Sequence, residues 1–220
     1  MPDPVDYRYY VYVDVAIFSL IRGELCALFI SPAAQYPNGA WTLPATKLLD
    51  RQAVEIRARE YVEELTGVNP RDVLNIGGIS DRGPEARTAS MLNFTTIRIG
   101  DVKIEIPAET IDAQWFNTNA LPALGGPHLG YFNHAMSRLK AAPDKILLAS
   151  DMLPKVFTLS QLEVAVAAIA EKTFDNRNFR RQVIDSGVLV DTGEVHRGSH
   201  RPAKLYTLNT EVASAKGELS

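Results

Sequence analysis

Three groups of side chains in this sequence have the types and spacings to do chemistry. Glu60, Glu63 and Glu64 lie on one segment whose apolar residues recur at helical spacing. Carboxylates projecting from a single helix are hard oxygen ligands suited to a divalent metal. Arg82 and Arg87 flank a Gly-Pro turn, where guanidinium groups can take up phosphate oxygens, and Lys47 adds a further cation. Toward the C-terminus, Arg177, Asn178, Arg180 and Arg181 cluster in one segment, and Arg197, Arg201 and Lys204 follow in a loop. Arginines on an exposed helix can reach guanine edges or phosphates in a major groove, while a basic loop contacts the backbone or minor groove. His196 and His200 are spaced like metal ligands but sit in a Gly-Ser loop, and no metal site is expected of them.

The elements that must hold these groups are legible from periodicity. Tyr9 to Leu20 and Leu25 to Ile30 are β-branched and aromatic runs broken at Arg22-Gly23, which predicts two strands joined by a glycine turn. Pro32 to Gly39 reads as a loop, followed by a strand ending Trp41-Thr-Leu-Pro44. From Ala53 to Leu65, Val54, Ala58, Tyr61, Val62 and Leu65 form one helical face, and Gly67 supplies its left-handed stop. Strands are expected at about Val73–Ser80, Thr88–Ile97 and Gln114–Phe116, and a helix at His128–Ala141. Strands mixed with two sizeable helices predict an α/β sandwich over residues 1–144.

After Ala142-Pro-Asp144 helix patterns succeed one another, with no strand until Val188. Thr158 can cap a helix over Leu159–Lys172, and Asp175 or Asn176 opens a second that stops at Ser186-Gly187. On that second helix Arg177, Arg180 and Arg181 share one side, and Phe179, Val183 and Ile184 are placed on the other. Val188–Val190, a turn at Asp191-Thr-Gly193, the basic loop and Leu205–Leu208 complete a hairpin. Helix, turn, helix, then hairpin is the order of a winged helix, expected over residues 145–220. The alternative for the arginines is a plain solvated face; a basic wing at the right place in chain order favours DNA.

The formal net charge of −3 means that any nucleic-acid function comes from a local patch. Cys26 stands alone in an apolar run, so no disulfide forms within the chain, and a cytoplasmic location fits. The N-terminus lacks a basic and apolar leader, and no apolar run approaches the ~20 residues that a membrane span needs. Trp41 can stack on a base or serve the core, and Asp14, inside an apolar strand, needs a partner if buried.

Aligned without a gap, Ala45–Val68 resembles the Nudix box, G-x5-E-x7-R-E-U-x-E-E-x-G-U. The box Gly falls on Thr46, its first Glu on Gln52, its Arg-Glu pair on Glu60-Tyr61 and its Glu-Glu pair on Glu64-Leu65. That box hydrolyses nucleotide pyrophosphates because its glutamates bind metal and position a water. Gln52, Tyr61 and Leu65 supply no carboxylate, and one residue along a helix turns a side chain by ~100°, so neighbouring glutamates are poor substitutes. A one-residue insertion would instead align Arg59-Glu60 and Glu63-Glu64, at the expense of the frame to Gly67. The expectation is a domain with no catalytic residues, metal or cofactor that binds a nucleotide rather than cutting it.

Phe157-Thr-Leu-Ser-Gln-Leu162, Asp175-Asn-Arg-Asn-Phe-Arg-Arg181, Ser186-Gly-Val-Leu189 and Arg201-Pro-Ala-Lys-Leu-Tyr206 resemble the C-terminal domain of the Nudix-related transcriptional regulators of NrtR type. The resemblance implies a dimeric bacterial transcription factor, usually a repressor, that binds operator DNA. It also implies control of NAD metabolism, with ADP-ribose or a related nucleotide or sugar phosphate as effector. Arg82 and Arg87 correspond to an arginine-rich turn common in these regulators. With Trp41, Lys47 and Glu64 they make up the expected ligand site. The expected DNA contacts are Arg177, Asn178, Arg180, Arg181, Arg197, Arg201 and Lys204. Two rival expectations remain: an active nucleotide pyrophosphatase with an accessory domain, and an interaction module whose basic wing meets an acidic protein.

Overall fold

A computed structural model describes residues 9–32, 40–82, 87–108, 110–196 and 202–212. Among these, two compact units separate. One holds the chain to Phe18, Cys26–Ile97 and Asp101–Arg138; the other holds Ser19–Leu25, Arg98–Gly100 and the chain from Leu139 onward.

In chain order the first elements are β1 (Tyr9–Ile21), β2 (Glu24–Pro32), β3 (Ala45–Lys47), α1 (Val54–Thr66), β4 (Leu74–Arg82), β5 (Arg87–Thr96), β6 (Thr110–Asn117) and α2 (His128–Ala141). They form a sheet of order β4-β5-β1-β2-β6, with β3 paired to β1. β1 and β5 are parallel, whereas β1–β3, β2–β6 and β4–β5 are antiparallel, so the sheet is mixed. Arg22 (φ 53°) and Gly23 (φ 85°) both take the left-handed conformation at the β1–β2 turn, which suits the twist of a two-residue hairpin.

Alternate residues of β1 feed opposite layers. Val13, Val15 and Ile17 join Leu28 and Ile30 against Ala58, Val62 and Leu65 of α1 in an aliphatic core. On the other face the rings take over. Phe132 of α2 lies 6.2 Å from Phe18 and 5.6 Å from Phe29, and Phe18 lies 6.5 Å from Phe94. One helix on each face of a mixed sheet is the expected sandwich. Cys26 is buried, in keeping with an inert thiol.

The strand expected to end at Pro44 is displaced. Trp41 and Thr42 make only single bridges, to Leu124 and Ile30, and regular pairing with β1 begins at Ala45. Pro44 has no N–H to offer, although its carbonyl still accepts the Val15 N–H at 2.9 Å.

The second unit contains α3 (Lys145–Asp151), β7 (Phe157–Thr158), α4 (Leu159–Ala170), α5 (Asn176–Asp185), β8 (Leu189–His196) and β9 (Ala203–Leu208), with sheet order β7-β9-β8. Thr158 closes a capping box with Gln161, and Asp175 caps α5 through the Asn178 N–H at 2.8 Å. Leu162, Val166 and Ile169 bury their shared face. Three expectations change. A two-residue strand, β7, precedes Val188, pairing Phe157 with Tyr206. Asp191–Gly193 is not the hairpin turn: β8 continues to His196, and the register slips between Asp191 and Val195. Gly193, with φ 77°, makes an irregularity within the strand rather than a reversal. Ile184 is 52% exposed instead of facing the core. Five residues of helix turn a side chain ~140° away from Phe179, whereas four return Val183 almost beneath it. No helix of the described residues is long and apolar enough to cross a membrane.

Candidate functional site

α1 has one face committed to the core and one left open. Ala58, Tyr61, Val62, Leu65 and Thr66 are buried, so two of the aligned box positions, Tyr61 and Leu65, point into the domain. Gly67 (φ 69°) ends the helix, and its N–H reaches the Glu63 carbonyl at 2.8 Å. The Arg59 guanidinium turns away to the carbonyls of Pro70 and Arg71.

On the open face the remaining aligned positions converge on one cation, Arg57. Its Nη1 donates to Glu64 Oε1 at 2.8 Å, and its Nη2 donates to Glu64 Oε2 at 3.2 Å and to Thr46 Oγ1 at 2.7 Å. Glu60 Oε2 lies 3.8 Å from Nη1 and accepts from Gln52 Nε2 at 2.6 Å. The Arg57 side chain is only 12% exposed, and the guanidinium carbon sits 5.7 Å from the centre of the Tyr61 ring. Thr46 and Glu64 are therefore hydrogen-bonded to Arg57, Gln52 is hydrogen-bonded to Glu60, and the Arg57–Glu60 ion pair joins the two sets. Arg57 was not singled out from the sequence, although its spacing of three and seven residues from two glutamates places all three on one helix face. Among the described residues, no group of three or more His, Cys, Asp or Glu is arranged to hold a metal ion.

The other expected ligand residues do not gather there. Thr46 faces α1, so strand alternation sends Lys47 to the opposite face of the sheet, where its Nζ lies over the Tyr10 ring at 5.4 Å. Trp41 is half-buried with its ring edge-on to Phe116 at 4.9 Å. Arg82 and Arg87 are direct partners at the ends of β4 and β5; their side chains lie outside the described residues.

Asp14, which needs a partner if buried, is buried. On the aromatic face, its Oδ1 lies 3.7 Å from Nδ1 of His128, the first residue of α2. Burial pushes the carboxyl up to about 7, against which a hydrogen bond from Ser90 works in the other direction. Burial pushes the imidazole down to about 4. The two groups therefore do not form an ion pair, because the imidazole has lost its proton well before the carboxyl ionises. Nothing in the sequence links His128 to Asp14; the link is made by packing α2 on the sheet.

In the second unit, α5 buries Phe179 and Val183 and leaves Arg177, Asn178, Arg180 and Arg181 exposed. Arg180 Nη2 donates to Ser160 Oγ on α4 at 3.0 Å, and Arg181 Nη2 to Asn178 Oδ1 at 3.1 Å. Lys204 Nζ pairs with Asp191 Oδ2 at 2.7 Å across the hairpin. That hydrogen bond is the main cause holding the Asp191 carboxyl below, and the Lys204 ammonium above, their usual ranges. Arg197 and Arg201 lie outside the described residues. The helix thus offers charge-assisted donors on one side and a packed anchor on the other, which suits phosphate and base-edge contacts.

The model of the NrtR DNA-binding winged helix domain matches residues 149–208. The ADPR responsive transcriptional repressor NtrR of Acinetobacter baylyi is 27% identical over 200 residues, covering 88% of this chain and 80% of the relative. Residues 149–208 therefore carry the NrtR-type winged helix, and the chain as a whole resembles the NrtR-type Nudix-related regulators. Two solved structures agree with that architecture. NrtR of Shewanella oneidensis, crystallised with a 27mer DNA, superimposes with a TM-score of 0.80 at 24% identity, over 93% of this chain and 95% of that one. The Nudix domain of the same protein, crystallised with ADP ribose, matches with a TM-score of 0.51 at 19% identity, over 62% of this chain and 93% of that one. At these identities the likeness is one of fold. It gives the first unit a Nudix-like fold, followed by a winged helix.

Proposed function

We propose that this protein is an NrtR-type, ligand-responsive transcriptional repressor. In this reading residues 145–220 bind operator DNA and residues 1–144 sense ADP-ribose or a related nucleotide or sugar phosphate. The observation that carries it is the exposed row Arg177, Asn178, Arg180 and Arg181 standing over a buried Phe179 and Val183 within a winged helix. Those four residues enter the major groove, and Arg197, Arg201 and Lys204 serve the wing. The chain acts as a cytoplasmic homodimer, and the two recognition helices fit half-sites about one helical turn, ~34 Å, apart. Trp41, Lys47, Glu64, Arg82 and Arg87 remain the ligand residues of this reading. Because Lys47 and Glu64 lie on opposite faces of the sheet, they meet different parts of a ligand. Regulation requires that ligand bind one dimer arrangement more tightly than the other, changing the separation of the helices. The Nudix-like domain senses without hydrolysing, and genes of NAD metabolism are the targets that fit such an effector.

The test is a gel shift on genomic fragments captured by the purified protein, with and without ADP-ribose. Arg180→Ala/Arg181→Ala is expected to lose the captured fragments while keeping its circular dichroism. Unchanged DNA affinity of this double variant would refute the assignment. Release of phosphate-containing products from ADP-ribose with Mg²⁺, abolished by Glu64→Gln, would replace the sensor by a pyrophosphatase.

A further inference from the structure

We infer that Arg57 is the resident cation of the box helix and that its guanidinium closes this face to divalent metal. A hydrolytic box of this kind calls for Mg²⁺ or Mn²⁺ on carboxylate oxygens, so the donor set can be tested for its fit to such an ion. It does not fit. Both Glu64 oxygens accept from Arg57, and the Thr46 hydroxyl oxygen accepts from the same guanidinium. Glu60 Oε2 faces Arg57 on one side and accepts from the Gln52 amide on the other. A carboxylate oxygen can only accept, so the Gln52 amide must present its NH₂ to Glu60 and turn its own oxygen away. The position that would supply a third carboxylate therefore supplies a donor.

The guanidinium is well suited to this role and hard to displace. Its planar fork takes one carboxylate with two nitrogens and still reaches a hydroxyl on β3. Its stem is packed, with 12% of the side chain exposed, whereas Glu60 and Glu64 are about half exposed. A dication approaching the two carboxylates from solvent would meet a fixed positive charge behind them and an incomplete oxygen shell around it. Arg57 also joins α1 to β3, so one residue both neutralises the glutamates and fixes the loop between those elements. Any nucleotide on this face is consequently held without a metal bridge.

The test is Mn²⁺ titration of the full chain, read by the loss of the free-ion electron paramagnetic resonance signal. Wild type is expected to show no saturable site up to ~1 mM, the weak end of carboxylate sites. Arg57→Gln, which removes the charge and keeps a polar group, is expected to bind Mn²⁺ at least about tenfold more tightly. Adding Glu64→Gln to that variant should erase the gain. Arg57→Lys, which restores a positive charge, should again exclude the ion. Arg57→Met, which keeps the buried stem, is the second variant should the glutamine form fail to fold. Saturable Mn²⁺ binding by wild type, or no gain in a folded Arg57→Gln or Arg57→Met protein, would overturn the inference. Neither result depends on DNA or ADP-ribose, so the repressor reading stands or falls separately.

Discussion

Asp14 and His128 make opposite contributions to stability with pH, and removing either should expose the other. Asp14 moves from 3.8 when unfolded to about 7 in the fold, because burial favours its neutral form. A raised folded value means that stability from this group is full below the unfolded value and is lost as pH rises through about 7. His128 moves from 6.5 down to about 4, also by burial. Its folded form binds fewer protons than the unfolded one across that interval, so stability increases as pH rises from about 4 to 6.5. A tenfold change in proton affinity is worth about 1.4 kcal/mol, which makes the Asp14 swing roughly 4 kcal/mol and the His128 swing roughly 3 kcal/mol, to order of magnitude. Between pH 4 and 6.5 the two slopes largely cancel in wild type. Asp14→Asn keeps only the imidazole slope, and its stability should climb by up to roughly 3 kcal/mol over that interval. His128→Gln keeps only the carboxyl slope, and its stability should fall as pH rises from about 4 to about 7. Urea unfolding followed by tryptophan fluorescence isolates the right unit, since both tryptophans, Trp41 and Trp115, belong to it. Parallel pH profiles for wild type and Asp14→Asn would refute the reasoning, because they would mean that the carboxyl titrates alike in folded and unfolded chains.

The Arg180→Ala/Arg181→Ala protein should also lower the slope of log affinity against log salt by up to about 2, since each phosphate contact contributes about 0.9; an unchanged slope would place both arginines off the backbone. Thr158→Ala removes one half of a capping box and should cost about 1 kcal/mol, read as a lower melting temperature of the C-terminal unit. Phe179→Ala should cost about 3–5 kcal/mol and unfold that unit at ordinary temperature, because Phe179 is 5% exposed and packs on Phe174 at 5.4 Å. If that variant folds normally but fails to bind DNA, Phe179 is a contact and not an anchor.

Much of the architecture is local information. The β1 and β2 runs, the α1 stripe with its Gly67 stop, the Thr158 and Asp175 caps and the α5 wheel can be read along the chain, because hydrophobic period and capping chemistry act within a few residues. The same logic exposes Arg177, Asn178, Arg180 and Arg181, since Phe179 and Val183 must turn inward together. It fails where an angle is misjudged, as at Ile184, or where a glycine permits either a reversal or a bulge, as at Gly193.

Pairings between distant segments needed the tertiary structure. The ungapped alignment already placed Thr46, Gln52, Glu60 and Glu64 at motif positions, but not the hydrogen bonds and ion pair that link them around Arg57. Those depend on β3 pairing with β1 and so carrying Thr46 to the open face of α1. The same pairing sends Lys47 to the other face, away from Glu64. Asp14 read as a polar residue in need of a partner; only the tertiary structure decided that Ser90 supplies its hydrogen bond, that an imidazole of α2 lies 3.7 Å away, and that burial shifts both groups toward neutrality. Element type and facing are encoded in spacing along the chain. The company that a charge keeps depends on which elements stack, because desolvation and hydrogen bonding act across space rather than along sequence.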